Sequence, residues 1–263
     1  MTIALAVTLF CIGLVGSFFS GMLGIGGAVV KFPMLLYIPA ALGVGSFTSH
    51  EVSGLTAVEV LITSLSGVIA FRGGQYLYKS LIIWMGSGVI VGSVLGSLLS
   101  NSLSDTHINL IYGAFALLAA LMMFIPRKAV PEGTSIPFNK PYAFVLALVV
   151  GIASGIVGAG GGFLIVPIML LLLHIPTRTA IASSLAITSS LAITFLSAIG
   201  SSFGKIATGQ VEWLPLSVLA VAAVIGAPFG AKAAKMLPVR MLQVILAIVL
   251  VCVATKIWID LLT

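Results

Sequence analysis

The sequence predicts an all-α polytopic membrane protein made of two homologous, mutually inverted repeats. Each repeat holds about five transmembrane or half-helical segments, with helices broken at glycines. Composition, a duplicated glycine motif and a lopsided charge distribution predict it. Of 263 residues, 60% are hydrophobic and 7% charged, against roughly 25% charged in a soluble domain. Six acids and twelve basic residues cannot solvate a globule of this size, and a disordered chain would be poor in apolar residues. The net charge of +6 comes from basic residues at segment ends, so nucleic acid is not an expected partner and membrane lipid is.

The apolar runs are 3–25, 28–45, 52–71, 79–100 and 106–125, then 142–157, 162–176, 180–202, 213–234 and 239–261. Met1 to Ser20 lacks a basic leader and is read as a retained first helix rather than a signal peptide. Run 28–45 contains Lys31, Pro33 and Pro39, and run 162–176 is short. At 1.5 Å per residue the latter reaches about 22 Å of a ~30 Å hydrocarbon core. These two are expected to be half-helices or re-entrant segments. Cys11 and Cys252 lie in apolar runs near opposite ends; without a disulfide framework or metal-ligand spacing, both are read as packing residues.

The stretch Arg127–Pro141, with three prolines and four charges, divides the chain into repeat one (1–126), a polar cytoplasmic linker (127–141) and repeat two (142–263). Gly21-Met-Leu-Gly-Ile-Gly-Gly-Ala-Val-Val-Lys-Phe-Pro33 matches Gly155-Ile-Val-Gly-Ala-Gly-Gly-Gly-Phe-Leu-Ile-Val-Pro167 at an offset of 134 residues. The same offset pairs Gly92 with Gly226 and Gly96 with Gly230; one residue of drift pairs Gly74-Gln75 with Gly209-Gln210. Chance likeness between apolar stretches would match leucines, not glycines and prolines in order.

Charge sets the orientation. If all ten runs cross, Arg72, Lys79, Arg127, Lys128, Lys140, Arg178, Lys232, Lys235 and Arg240 share one side, and the other holds Lys205 and Lys256. If the second run of each half only dips in, the basic residues divide seven against five, which orients nothing. Ten crossing or partly crossing segments are therefore favoured, in the inner (plasma) membrane with both termini outside the cytoplasm. Five segments per half make the halves inverted, a recurrent plan of secondary transporters.

Glycines 24, 26 and 27, and 158, 160, 161 and 162, interrupt apolar runs. Unwound backbone inside a bilayer must be buried by protein or line a cavity. A helix starting just after such a break aims free N–H groups and its positive end there. Gly24, Gly26, Gly27, Gly158, Gly160, Gly161 and Gly162 are thus expected to line an anion site, whereas the 92/96 and 226/230 ridges fit close helix packing, within one chain or in a homodimer. Lys31 stands where repeat two has Ile165; an intramembrane ammonium is a substrate-contact candidate. Ser49-His50 aligns with Ser183-Ser184, a polar layer drawn from both halves. His50, Glu51 and Glu59 are candidates for carrying protons, although Ser49 and Glu51 also suit a helix N-terminus. Glu59 needs a partner that the sequence does not name. Arg72 and Lys205 read as basic helix C-termini before a turn, and His107 and His174 as interfacial. No spacing suits a metal, no dinucleotide unit surrounds the Gly-x-Gly-Gly pattern, and no cofactor, catalytic residues or enzymatic activity are expected.

The duplicated glycine motif resembles the signature of the TauE/SafE membrane permeases, called sulfite exporters. Ala182-Ser-Ser184 looks like that family's short Ala-Thr-Ser-type element, and Gly74-Gln75 and Gly209-Gln210 are similar to its turn. The resemblance implies a permease for sulfite, sulfoacetate or related organosulfur anions. The leading expectation is a secondary exporter of such a small anion, driven by protons or the membrane potential. The alternative is a cation or metal-ion permease using Glu51, Glu59 and His50; an intramembrane enzyme finds no paired side chains at helical spacing.

Overall fold

The computed structural model describes residues 1–23, 27–70, 79–124, 139–171, 180–237 and 239–262. Among the described residues the chain forms ten α-helices and no strand. They are α1 (Ile3–Leu23), α2 (Ala28–Ala41), α3 (Ser49–Ala70), α4 (Lys79–Leu99), α5 (Asp105–Phe124), α6 (Lys140–Val157), α7 (Gly162–Leu171), α8 (Ala180–Ala207), α9 (Trp213–Met236) and α10 (Val239–Leu262). A 3-10 turn, Ser100–Ser102, follows α4. Among the described residues, seven helices are long and apolar enough to cross a membrane: α1, α3, α4, α5, α6, α8 and α9. The chain is an all-α, multi-pass integral membrane protein.

Local chemistry sets the helix ends. Thr48 and Glu51 form a capping box at α3: the Glu51 N–H donates to Thr48 Oγ1 at 3.2 Å and the Thr48 N–H to Glu51 Oε2 at 2.7 Å, satisfying two amides that a helix start orphans. Asn139 caps α6, accepting from the Tyr142 N–H, with a proline in the first turn. Gly158, at φ 73°, closes α6 in the left-handed conformation. The 14 residues of α2 reach about 21 Å, short of the hydrocarbon core. Within α2, Pro33 has no N–H for the Val29 carbonyl four residues back. The Tyr112 hydroxyl of α5 supplies that bond at 2.6 Å, while its ring stacks on Phe32.

Packing is organised by glycine. A Cβ at Gly92 would overlap the Leu148 carbonyl, one at Gly96 the Ile152 carbonyl, and one at Gly155 the Ser93 carbonyl, so α4 and α6 meet backbone to backbone. The α1–α9 pair repeats this: Gly226 on Leu14, Gly230 on Phe18 and Gly21 on Ala227, each contact displaced by 134 residues. Both glycine ridges pack within the chain in this structure. The breaks keep the same offset, for α1 and α6 end, and α2 and α7 begin, 134 residues apart. Helices α3 and α8 pack on each other and are the most enclosed of the seven. Val7, Ile83, Leu95, Val149, Val221 and Phe229 face outward, as side chains bathed by lipid do.

Cys11 and Cys252, expected to be packing residues, are free and exposed on the outside of the bundle. In a lipid-facing protein an apolar run does not imply burial, because its outer face is apolar too.

Candidate functional site: two helix ends about one buried ion pair

The N-terminus of α2 starts at Gly27, which adopts φ 73°. The Val30 and Lys31 N–H groups bond back to the Gly27 carbonyl, leaving those of Ala28 and Val29 without intrahelical acceptors. α7 begins the same way: Gly160 and Gly161 have φ 66° and 68°, and the Leu164 and Ile165 N–H groups return to the Gly161 carbonyl. Each break rests on a serine of the preceding helix. A Cβ at Gly27 would crowd Ser20, and one at Gly161 would press on Ser154. Between the two ends runs the middle of α3. Glu59 turns to the α1–α2 side, and its neighbour Val60 lies against Gly160.

Lys31 and Glu59 meet here. Both are fully buried; Lys31 Nζ bonds Glu59 Oε1 and donates to Ser17 Oγ at 2.9 Å, and Ser17 Oγ donates to Glu59 Oε1 at 2.9 Å. The Lys31 stem fills a slot over Gly16, where any Cβ would collide with it. Among the described residues three buried polar atoms have no hydrogen-bond partner: Ser20 Oγ, Glu59 Oε2 and Thr194 Oγ1. The first two border the α2 start. Thr194 borders the α7 start, where a Cβ at Gly160 would touch its methyl group. Unsatisfied buried groups are costly, and each calls for a water, an ion or a functional role at that place.

The residues singled out in the sequence separate into groups. Gly27, Gly158, Gly160, Gly161, Gly162, Lys31 and Glu59 gather around the two breaks. Gly24 and Gly26 lie outside the described residues, as do the side chains of Ser183 and Ser184. So do Arg72, Gly74, Gln75 and His174. Ser49, His50 and Glu51 stand at the α3 start, about 14 Å of helix rise before Glu59. There Ser49 Oγ donates to Asn109 Oδ1 at 2.9 Å, His50 Nε2 lies 2.8 Å from the Leu103 carbonyl, and the His50 N–H donates to Asp105. Because Glu59 is bound to Lys31 and stands this far away, Glu51, Glu59 and His50 do not form one ligand set. Among the described residues no group of three His, Cys, Asp or Glu could hold a metal ion. His107 is exposed against Ser104.

Lys205 ends α8 as a basic C-terminus before a turn, as expected, and its burial is what the sequence does not signal. It is turned inward onto Ser53, Ser100, Gln210 and the Ile156 carbonyl. Ser17, Ser20 and Thr194 carry no signal in the sequence either. A hydroxyl on every turn of an apolar helix is too common to mark a site until its neighbours are known.

The model of the family described as "Sulfite exporter TauE/SafE" matches residues 9–257. The chain is 28% identical to the "Probable membrane transporter protein YunE" of Bacillus subtilis, over 95% of this chain and 96% of that protein. It is 34% identical to a "Probable membrane transporter protein" of Xylella fastidiosa strain Temecula1, over 79% of this chain and 74% of the other. No solved structure matches it significantly.

Proposed function

The chain belongs to the Sulfite exporter TauE/SafE family and is a membrane transporter, not an enzyme; we propose that it moves a small sulfur oxyanion, sulfite or an organosulfur anion such as sulfoacetate. The observation that carries this is the α2 start. Two free amides, Lys31 and the unpartnered Ser20 hydroxyl converge there in a buried place. Helix N-termini suit oxyanions because their N–H groups and dipole both favour negative charge. An arriving anion competes with Glu59 for Lys31 and takes the Ser20 hydroxyl as a donor. Glu59, released from Lys31, then carries a proton in place of its ion pair. Transport by this route moves the anion together with a proton.

Two halves of five segments each, inverted and rocking about the α3–α8 contact, would expose this site alternately to the two faces. The glycine contacts that recur at one offset support that relation. Charge counting supports termini outside the cytoplasm. The family's name supports the outward direction; because a monoanion and its proton leave together without net charge, the membrane potential does not drive the step, and exit follows the combined gradients of anion and proton.

The test is uptake of labelled sulfite, sulfoacetate and taurine into proteoliposomes, under an imposed pH gradient or an imposed potential. Saturable uptake that follows the pH gradient and ignores the potential is expected. Glu59→Gln, which cannot load a proton, is expected to make any residual flux respond to potential. Transport of divalent cations and of no anion would refute the proposal.

A further inference from the structure

We propose that Lys205 forms a second anion-binding station, specific for a small oxyanion, which the Gln210 side chain closes in this structure. The inference rests on the anion-transporter reading but uses different residues. Lys205 Nζ donates to Ser100 Oγ at 2.6 Å, Ser53 Oγ at 2.7 Å, Gln210 Oε1 at 2.9 Å and the Ile156 carbonyl at 3.0 Å. Three N–H bonds face four acceptors, and every acceptor is neutral. Among the described residues the ion pairs are Lys31–Glu59 and Lys256–Asp260, so this ammonium is buried without a carboxylate. The carbonyl end of α6, reached at Ile156, supplies only the partial negative charge of a helix C-terminus. A buried cation in a membrane protein pairs with an opposite charge or with backbone carbonyls, and among the described residues Lys205 has one such carbonyl and no opposite charge. A transported anion would bring one.

The four acceptors are not equivalent. Ser53 and Ser100 are each held by a second bond, donating to the His50 carbonyl at 2.9 Å and the Ser97 carbonyl at 2.8 Å, and Ile156 is backbone. Gln210 alone is a long side chain on a connection, half-buried between Lys205 and the surface. It follows Gly209, a turn residue at φ 71°. Its amide nitrogen is tethered to Thr208 Oγ1 at 2.8 Å and Ser100 Oγ at 3.3 Å, and its oxygen points at the ammonium. That oxygen stands where an anion's oxygen would stand, with His50 Nδ1 3.5 Å away as a further polar neighbour. Swinging Gln210 aside opens Lys205 toward the end of the bundle where α3 starts. Ser53 lies six residues before Glu59 on α3, about 9 Å of rise. The station therefore sits between the central ion pair and that surface, on the route an anion would take.

The experiment measures binding of sulfite, sulfoacetate, sulfate and nitrate to purified protein by calorimetry, and sulfite KM in proteoliposomes. The proteins compared are wild type, Lys205→Met, Lys205→Arg, Gln210→Ala and Lys31→Met. Lys205→Met is expected to weaken oxyanion binding about tenfold or more, the worth of a hydrogen bond to a charged group, with Lys205→Arg retaining part. Gln210→Ala, which removes the competing oxygen, is expected to tighten binding. The opposite signs separate a station from a structural latch, for which both changes would only impair. If both weaken binding alike, or neither changes it while Lys31→Met does, the station is refuted and the transporter reading stands. If only sulfate or nitrate binds, and does so through Lys205, the station stands and the sulfite or organosulfur reading falls. Failure of wild type to bind any of the four overturns both.

Discussion

Removing either member of the Lys31–Glu59 pair should cost far more than removing both. Each side chain is fully buried, and beyond Lys31 the only hydrogen bond the Glu59 carboxylate receives among the described residues is that of Ser17. Lys31→Met keeps the stem that fills the slot over Gly16, so its effect is electrostatic rather than a packing defect. It leaves a carboxylate facing one hydroxyl. Breaking one side of a buried pair costs about 3–5 kcal/mol. At roughly 2–4 °C per kcal/mol for chains of this order of size, each single variant should unfold about 10 °C lower. Glu59→Gln leaves the mirror problem, an ammonium facing an amide and a hydroxyl. Together, Lys31→Met and Glu59→Gln remove both charges, and the double variant should lie within about 2 kcal/mol of wild type. That amounts to a coupling of about 3 kcal/mol or more, at the upper end for contacting residues. Intrinsic fluorescence of Trp84, Trp213 and Trp258 should follow the melt in detergent. A thiol-reactive dye would not serve, because Cys11 and Cys252 are already exposed in the folded protein. Additive losses would refute the coupling and with it the site geometry. Transport adds a second readout: the double variant should fold and yet not carry sulfite. If it transports like wild type, the pair is scaffold and the proposed site is wrong.

The left-handed glycines give a paired comparison. Gly158→Ala meets both the φ penalty, about 1–2 kcal/mol, and a collision with the Ser53 carbonyl, and should abolish folded protein on size-exclusion chromatography. Gly209→Ala has the same φ problem with open space around it and should lower the melting temperature by only a few degrees; equal losses would refute the packing described. A pH effect is expected at Glu212, outside the membrane-spanning helices. Partial loss of water, then the neighbouring Glu51 carboxyl, raise the Glu212 carboxyl above its ordinary value. The folded state thus holds its proton at pH values where the unfolded chain has lost it, so stability falls as pH rises through that window. Glu212→Gln should therefore melt slightly higher than wild type at neutral pH and no higher at about pH 4, followed by the same fluorescence melt. A gain confined to acid would reverse the sign and refute the assignment.

The helices are legible in the sequence because bilayer spans are written as apolar length. Runs 79–100 and 213–234 differ from α4 and α9 by at most two residues at an end. Where run and helix disagree, polar residues are used inside the protein. α3 starts at Ser49 rather than 52 because its capping box is hydrophilic. α8 continues past 202 to Ala207 because Ser201, Ser202 and Lys205 face the packed interior instead of water. An apolar window stops at such residues, while the helix they belong to does not.

The internal duplication separates framework from chemistry without any other sequence. What the halves share at the 134-residue offset is steric: glycines pressed on carbonyls, and a serine beneath each helix break. What they do not share is charge. Lys31 faces Ile165 across the alignment, Glu59 faces Ile193, and Thr194 faces Val60. The partner of Glu59 lies 28 residues away, and the acceptors around Lys205 come from 105 and 152 residues away as well as 5. No periodicity within one helix reveals such meetings, because they depend on which faces the glycine contacts bring together. A symmetric framework holding asymmetric charges leaves two unlike helix ends on either side of α3. The ion pair belongs to the α2 end, and the neutral α7 end offers only amides and Thr194. If the proposed anion passes between them, it meets its strongest electrostatic partner on one side only, so substitutions around α2 should alter ion coupling and those around α7 affinity alone.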